Sequence, residues 1–347
     1  MISRQLEYIL NKDIGIQREN LVMTNLTGDL FSKKEVYLNA LRTLPSVKDV
    51  TMSSNNPINF GSSTGGARWP GKDPNAVMEI NVLTVRDGFT KTLGMDIIQG
   101  ENFANEFLRD SARFLINEVL AKMMNVGNPV GKELSLWGTT GTIAGIVKDF
   151  HMDSMYEPIQ PLIIRYRPDD VYVAFIRITG DTHEALAGIE RVTKEVNPAF
   201  PFRYEFVDER FGRQYHSEAS VSSLVNIFAG VSIFIACLGL LGLSSFAADQ
   251  RAKEIGIRKV HGASTRSLVV LLSKQYAQMM IVAFLIAAPL AYFYMHQWLS
   301  GFAYQTDAGI YLFVFAGVIT FAIGALTVSY KSYTASLANP ATTLKED

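Results

Sequence analysis

The 347-residue sequence predicts an α+β extracytoplasmic domain of two subdomains, followed by an all-α bundle of three transmembrane helices. Three observations carry that prediction. Charge is crowded into residues 1–218, where 24 basic and 28 acidic residues fall. Three runs without Asp, Glu, Lys or Arg fill most of the remainder: Ala219–Ala248, Gln275–Thr306 and Ala308–Tyr330. Each exceeds the roughly 20 residues that cross about 30 Å of hydrocarbon at about 1.5 Å per residue. Finally, segments 1–218 alternate between strand-like and helix-like periodicity, with turn residues between them.

The elements follow in order. Residues 1–20 mix charged and apolar positions and read as a helix continuing from a preceding membrane span. Met1–Asn20 holds no 7–15-residue apolar core of a leader peptide, so the expectation is a fragment or C-terminal half lacking a first transmembrane helix. Leu21–Asn25 reads as a strand. Ser32 is the expected N-cap of a helix with Glu35 three residues on and Pro45 beyond its end. Val47–Ser53 is a strand, and Asn55–Asn75 a Gly/Ser/Asn/Pro loop. Ala76–Val85 alternates as a strand, and Asp87–Leu93 suits a short helix. A small β-rich subdomain is expected near 105–165. It comprises Phe114–Glu118, the helix Val119–Met124, and an antiparallel unit of Leu134–Trp137, Thr142–Val147 and Leu162–Arg165, with Gly138 and Gly141 at a hairpin turn. Val171–Ile178, the amphipathic helix Thr182–Val196 and Arg203–Val207 complete a strand–helix–strand unit. The expected spans are about 221–247, 275–298 and 308–330.

Orientation follows from Lys and Arg beside the spans. Segment 249–274 carries six basic residues against two acidic ones, and the link near Ser300–Asp307 carries none. The charged segment is therefore cytoplasmic, and residues 1–218 and the link are outside. The net negative charge of 1–218 offers no nucleic-acid footprint. The single Cys237 falls in the first span, so no disulfide is expected.

Few residues suggest chemistry. Gly66–Asp73 matches the glycine and lysine spacing of a phosphate loop, but Asp73 stands where Ser or Thr must hold magnesium, and Pro70 removes a backbone donor. Gly127–Glu133 is one residue short and lacks the hydroxyl. Asp149, His151 and Asp153 place two carboxylates and an imidazole together, yet no second ligand cluster accompanies them, which points to a structural loop. His183 and His216 have no partner acids in motif spacing. No catalytic, cofactor-binding or metal residues are assigned.

The cytoplasmic segment is different. From Asp249 to His261, Ile255, Ile257 and Val260 are interleaved with Arg251, Lys253, Glu254, Arg258 and Lys259, then Gly262 breaks the helix and Ser264 is a suitable N-cap for the next. The string Arg251–Ser264, RAKEIGIRKVHGAS, resembles the motif of FtsX-like permeases, the family of the MacB and LolC/LolE type. The tail Asn339–Leu344 resembles that family's terminal motif, with Thr343 departing from Ala. Phe114–Glu118 (FLINE), Asn128–Lys132 (NPVGK) and Gly145–His151 (GIVKDFH) resemble the MacB-like periplasmic core domain.

The resemblance implies a multi-pass protein of the bacterial inner membrane. A separate ABC-type ATPase, carrying the ATP and magnesium that this chain does not bind, drives it through the coupling element 249–264. Arg251, Lys253, Glu254, Ile255, Ile257, Arg258 and Lys259 are the expected interface, with the two isoleucines as apolar anchors. The expected work is export or extrusion of a lipoprotein, peptide or antibiotic. The alternative is a signalling scaffold whose motion controls a cell-wall hydrolase or a sensor kinase. A second permease half or a homodimer partner is implied, together with a periplasmic or outer-membrane protein, but no nucleic acid.

Overall fold

The computed structural model describes residues 2–56, 62–73, 75–76, 78–103, 112–151, 155–306 and 309–336. The tail motif Asn339–Leu344 lies outside the described residues, as does Asp153. The chain divides into two compact units, Tyr8–His216 and Met1–Glu7 with Ser217–Asp347.

α1 (Ile2–Asn11), whose residues up to Glu7 count with the second unit, leads in the first unit to β1 (Leu21–Asn25), a 3-10 turn at Gly28–Phe31, α2 (Lys34–Arg42) and β2 (Val47–Ser53). β3 (Ser63–Thr64), β4 (Ile80–Val85), α3 (Phe89–Leu93), β5 (Ile97–Gly100), β6 (Ala112–Asn117) and α4 (Glu118–Met124) follow. Then come β7 (Glu133–Leu136), β8 (Thr139–Val147), β9 (Leu162–Tyr166), β10 (Val173–Ile178), α5 (Thr182–Val196), β11 (Glu205–Phe206) and α6 (Val207–Arg213).

Among the described residues eleven strands join one sheet, in the order β11-β1-β10-β2-β4-β9-β6-β8-β5, with β3 on β4 and β7 on β8. Two hydrophobic cores divide it. One lies where α2 and α5 cover β1, β10 and β2, through Tyr37, Leu41, Val50, Ile176 and Ile189. The other gathers Val82, Ile116, Leu120, Ile143 and Ile163 around α4. Between them β2 and β4 share a single register pair, Ser53 with Val85, reinforced by bonds from Ser54 N to Thr84 O and from Arg86 N to Met52 O.

The periodicity of α5 needed no correction: Asp181 caps it by accepting from Glu184 N at 2.9 Å, and Ala185, Ile189, Val192 and Val196 are buried on one face. Elsewhere the expectations change. α2 begins at Lys34 after Lys33, and Ser32 is not its cap, because the Ser32 hydroxyl instead donates to Asp29 O within the preceding 3-10 turn. β7, β8 and β9 do not form a self-contained antiparallel unit. β6 inserts between β8 and β9, parallel to β8 and antiparallel to β9, and β9 also runs parallel to β4. Long connections that permit parallel pairing leave no local sequence signal. The β7–β8 turn is Trp137-Gly138, both at positive φ (49° and 77°), the geometry of a two-residue hairpin, and Gly141 lies within β8. α6 was not anticipated, although Asp208 and Glu209 in its first turn and Arg210 and Arg213 in its last complement a helix dipole.

The second unit contains α7 (His216–Gln250), α8 (Ala252–Val260), α9 (Thr265–Leu299) and α10 (Ile310–Ser336). The most hydrophobic windows of α7 and α9 are 0% buried within the protein, and that of α10 only 11%. Helices apolar on every side and covered by nothing require hydrocarbon as their solvent.

Candidate functional site

The segment between the first two spans is built by helix-ending rules. α7 stops at Gln250, and Arg251 N still reaches Ala247 O and Ala248 O at 3.2 Å each. α8 then ends in paired bonds, Ala263 N to Arg258 O at 3.0 Å and Gly262 N to Lys259 O at 3.1 Å. Gly262 sits at φ 86°, so this is a Schellman closure that a residue with a Cβ would strain. Ser264 caps α9, its hydroxyl oxygen accepting from Ser267 N at 3.3 Å, as its position in the sequence suggested. Between the two closures lies an elbow, where Ile255, Leu268 and Ala263 pack together.

That elbow separates residues expected to act together. Ile255 is 8% exposed and packs inward, so it is not a surface anchor, whereas Ile257 is 48% exposed. Two residues apart on a helix lie about 200° apart around its axis, so they cannot share a face. The exposed face instead runs through Lys253, Ile257 and Val260, with Glu254 and Arg258 beside it in an ion pair of 2.7 Å. Val260, 66% exposed, was missed as a site residue, although its i,i+3 spacing from Ile257 was visible. Arg251 points elsewhere, donating to Gln275 Oε1 on α9 at 3.3 Å, and Lys259 is half-buried. The result is a small apolar patch framed by charge on a helix held at both ends. Such a patch can dock against a protein groove with its charges setting orientation.

The remaining motif residues are structural. Asn117 is fully buried and caps α4 by accepting from Leu120 N at 3.1 Å, while also accepting from Leu162 N and donating to Gln160 O, both at 2.9 Å. Asp149 is bonded to the first turn of α4: Glu118 Oε2 accepts from Asp149 N at 2.9 Å, and Asp149 Oδ1 accepts from Val119 N at 3.0 Å. Burial raises the Asp149 pKa above its ordinary value, opposed by that backbone bond. His151 is buried, and desolvation aided by nearby Lys12 pulls its pKa down to about 4. Among the described residues no three His, Cys, Asp or Glu side chains gather as metal ligands. The lysines of both phosphate-loop lookalikes turn back onto their own loops, Lys72 Nζ to Ala67 O and Lys132 Nζ to Val126 O, at 2.7 Å each.

A sheet domain ahead of exposed apolar helices, with a charged helix between two of them, defines a multi-pass membrane protein with a large domain outside the bilayer. The profile of the MacB-like periplasmic core domain matches residues 5–192, more than half of the chain, and that of the FtsX-like permease C-terminal region matches residues 226–338. The chain belongs to this family of ABC transporter permeases. It is an inner-membrane protein with an extracytoplasmic segment ahead of its first described span.

It is 21% identical over 238 residues to the uncharacterized ABC transporter permease YknZ of Bacillus subtilis (strain 168), covering 65% of this chain and 57% of that protein. It is 22% identical over 242 residues to the macrolide export ATP-binding/permease protein MacB of Bartonella quintana (strain Toulouse), covering 65% of this chain and 34% of that protein. The match thus spans about half of one curated relative and a third of the other. The crystal structure of the periplasmic region of MacB from Actinobacillus actinomycetemcomitans aligns with a TM-score of 0.42 at 15% identity, covering 58% of this chain and 94% of that one.

Proposed function

We propose that the outward face of α8 receives the motion of a separate ABC-type ATPase and that the chain passes this motion to its extracytoplasmic domain, for export or extrusion of a substrate. The observation that carries the reading is the exposed pairing of Ile257 with Val260 beside the Glu254–Arg258 ion pair, on a helix closed at its C-terminal end by the Gly262 turn and set between two membrane spans. ATP and magnesium belong to the partner. Lys253 and the Glu254–Arg258 pair set orientation, whereas Ile255 supports the site from behind. A second permease half or a second copy completes the transporter, since one coupling helix offers one docking face.

The test compares two substitutions in the membrane-inserted chain expressed with its ATPase. Ile257→Asp should leave insertion intact but lower ATPase stimulation by more than about tenfold, as expected for an apolar anchor at the centre of an interface. Ile255→Ala should act on thermal stability, with stimulation changed in proportion to the folded fraction. Full stimulation by a stably inserted Ile257→Asp chain would refute the assignment. Proteins captured by residues 1–218 would separate transport from control of a cell-wall hydrolase or sensor kinase.

A further inference from the structure

At the β11 end of the sheet, the end of β1, the 3-10 turn, α5 and the loop ahead of β11 enclose a cavity of about 330 Å³. That volume lies at the small end of the roughly 300–1,000 Å³ typical of small-molecule pockets. The walls are braced. Buried Thr24 donates its hydroxyl to Arg203 O at 2.7 Å, which ties the loop to β1. Buried Asn197, just past α5, accepts from Asp29 N at 3.2 Å and donates to Thr27 O at 3.0 Å. Gly28 sits at φ 52°, and a Cβ there would fall 2.5 Å from Phe200 Cε2, so the ring lies directly on the backbone of the turn. Phe202 packs against the core under α2 and α5 and stacks on Tyr204, with ring centroids 5.3 Å apart. Three polar groups on these walls keep unused bonding capacity. The Thr24 oxygen has spent its proton on Arg203 O and can still accept. The Thr27 hydroxyl accepts from Asn197 Nδ2 at 3.3 Å, and its own proton has no acceptor among the described residues. Arg203 lines the cavity at an exposed position, and among the described residues its guanidinium has no ion-pair partner. The acids on the same segments are taken, Asp29 by Lys33 at 2.7 Å and Glu205 by Arg210 at 2.8 Å and Arg213 at 3.1 Å.

We infer that this cavity binds a carboxylate carried beside one apolar group, the chemistry shared by an acylated hydrophobic amino acid and the C-terminal residue of a peptide. Arg203 supplies the counter-charge at the rim and Thr27 a hydroxyl donor, and a carboxylate accepts from both. Leu30, Phe200 and Phe202 receive the apolar group. Thr24 accepts from the amide N–H that such a residue carries next to its carboxylate. Among the described residues none that lines the cavity is acidic, so a cationic ligand finds no counter-charge there. Size sets a further limit: a space equal to roughly eleven waters, at about 30 Å³ each, holds one large residue and not an extended chain. Because the walls are already braced, binding orders little of the protein. The site lies wholly within the sheet domain and is independent of the ATP-driven reading above.

The experiment titrates the full chain in lipid nanodiscs, by isothermal calorimetry, with N-acetylphenylalanine and with the peptide Ala-Ala-Ala-Phe, each as the free acid and as the carboxamide. Wild type should bind the acids at least about tenfold more tightly than the amides, the scale of one charge-assisted hydrogen bond. Arg203→Gln should weaken the acids by about that factor and leave the amides unchanged, and the exposed position of Arg203 keeps the fold out of the comparison. Asn25→Trp, at an exposed position on the rim, should fill the cavity and abolish binding of all four. A peptide acid that binds at least about tenfold more tightly than N-acetylphenylalanine assigns the site to a chain end, and equal affinities assign it to a free acid; both support the carboxylate site. Acid and amide binding equally to wild type, an acid preference that survives Arg203→Gln, undiminished binding by Asn25→Trp, or no binding of either acid at about 10 mM overturns it.

Discussion

Arg177 and His151 show how much of this protein's polar chemistry serves to hold the fold. The buried Arg177 guanidinium donates to Thr92 O, Gln17 O and Glu19 O at 2.6–2.9 Å, satisfying one carbonyl of α3 and two of the loop before β1. His151 is kept neutral by burial, with its pKa at about 4 rather than its ordinary 6.5. A group whose folded pKa is depressed binds protons preferentially in the unfolded state, so its contribution to stability is complete above about pH 7. That contribution declines as pH falls through 6.5 toward 4, by up to about 1.4 kcal/mol per pH unit. Melting of wild type and His151→Asn at pH 7.5 and pH 5.0 should show the wild-type advantage shrinking at the lower pH. A constant difference would mean the imidazole is solvated. The motifs FLINE and GIVKDFH stood out in the sequence only through family resemblance. Their physical purpose, the bonds of Asp149 to Glu118 and Val119, depends on two segments about 30 residues apart meeting, which no local pattern encodes.

Among the elements, those defined by local rules were legible. α5 and the Gly262–Ser264 turn follow from caps, periodicity and the need for positive φ, all of which act within a few residues. Pairing between elements was not legible in the same way, as β6 between β8 and β9 demonstrates. Helix packing in the membrane unit adds a further case. A Cβ on Gly317 of α10 would fall 2.4 Å from Phe284 Cε2 of α9, so the glycine lets an aromatic ring lie against the neighbouring backbone. Gly317→Leu is expected to weaken the α9–α10 contact by about 2 kcal/mol, and Phe284→Ala in the same chain to recover part of that loss by vacating the space. Thermal unfolding in detergent of the two single variants and the double variant measures the coupling. Strict additivity would show that the two side chains do not compete for this space.

At the scale of the whole molecule, the excess of Lys and Arg in 249–274 predicts that this segment is cytoplasmic. In a Cys237→Ala background, Lys194→Cys on the exposed face of α5 should react with a membrane-impermeant maleimide in intact cells exposing that surface. Val260→Cys should react only after permeabilisation. Equal labelling of both in intact cells would reverse or abolish the proposed orientation. Length and uninterrupted hydrophobicity were enough to specify the membrane spans, because the bilayer imposes a one-dimensional requirement that a chain meets or fails residue by residue. The excess of Lys and Arg was likewise enough to specify orientation, and short-range capping to specify the helix breaks. Side-chain facing and long-range pairing needed the folded chain. Ile255 is buried and Ile257 exposed because α8 packs one face against Leu268. Gln5 finds its partners in Tyr304 and Thr306, about 300 positions away, because a buried amide needs partners that its neighbours in the sequence do not supply.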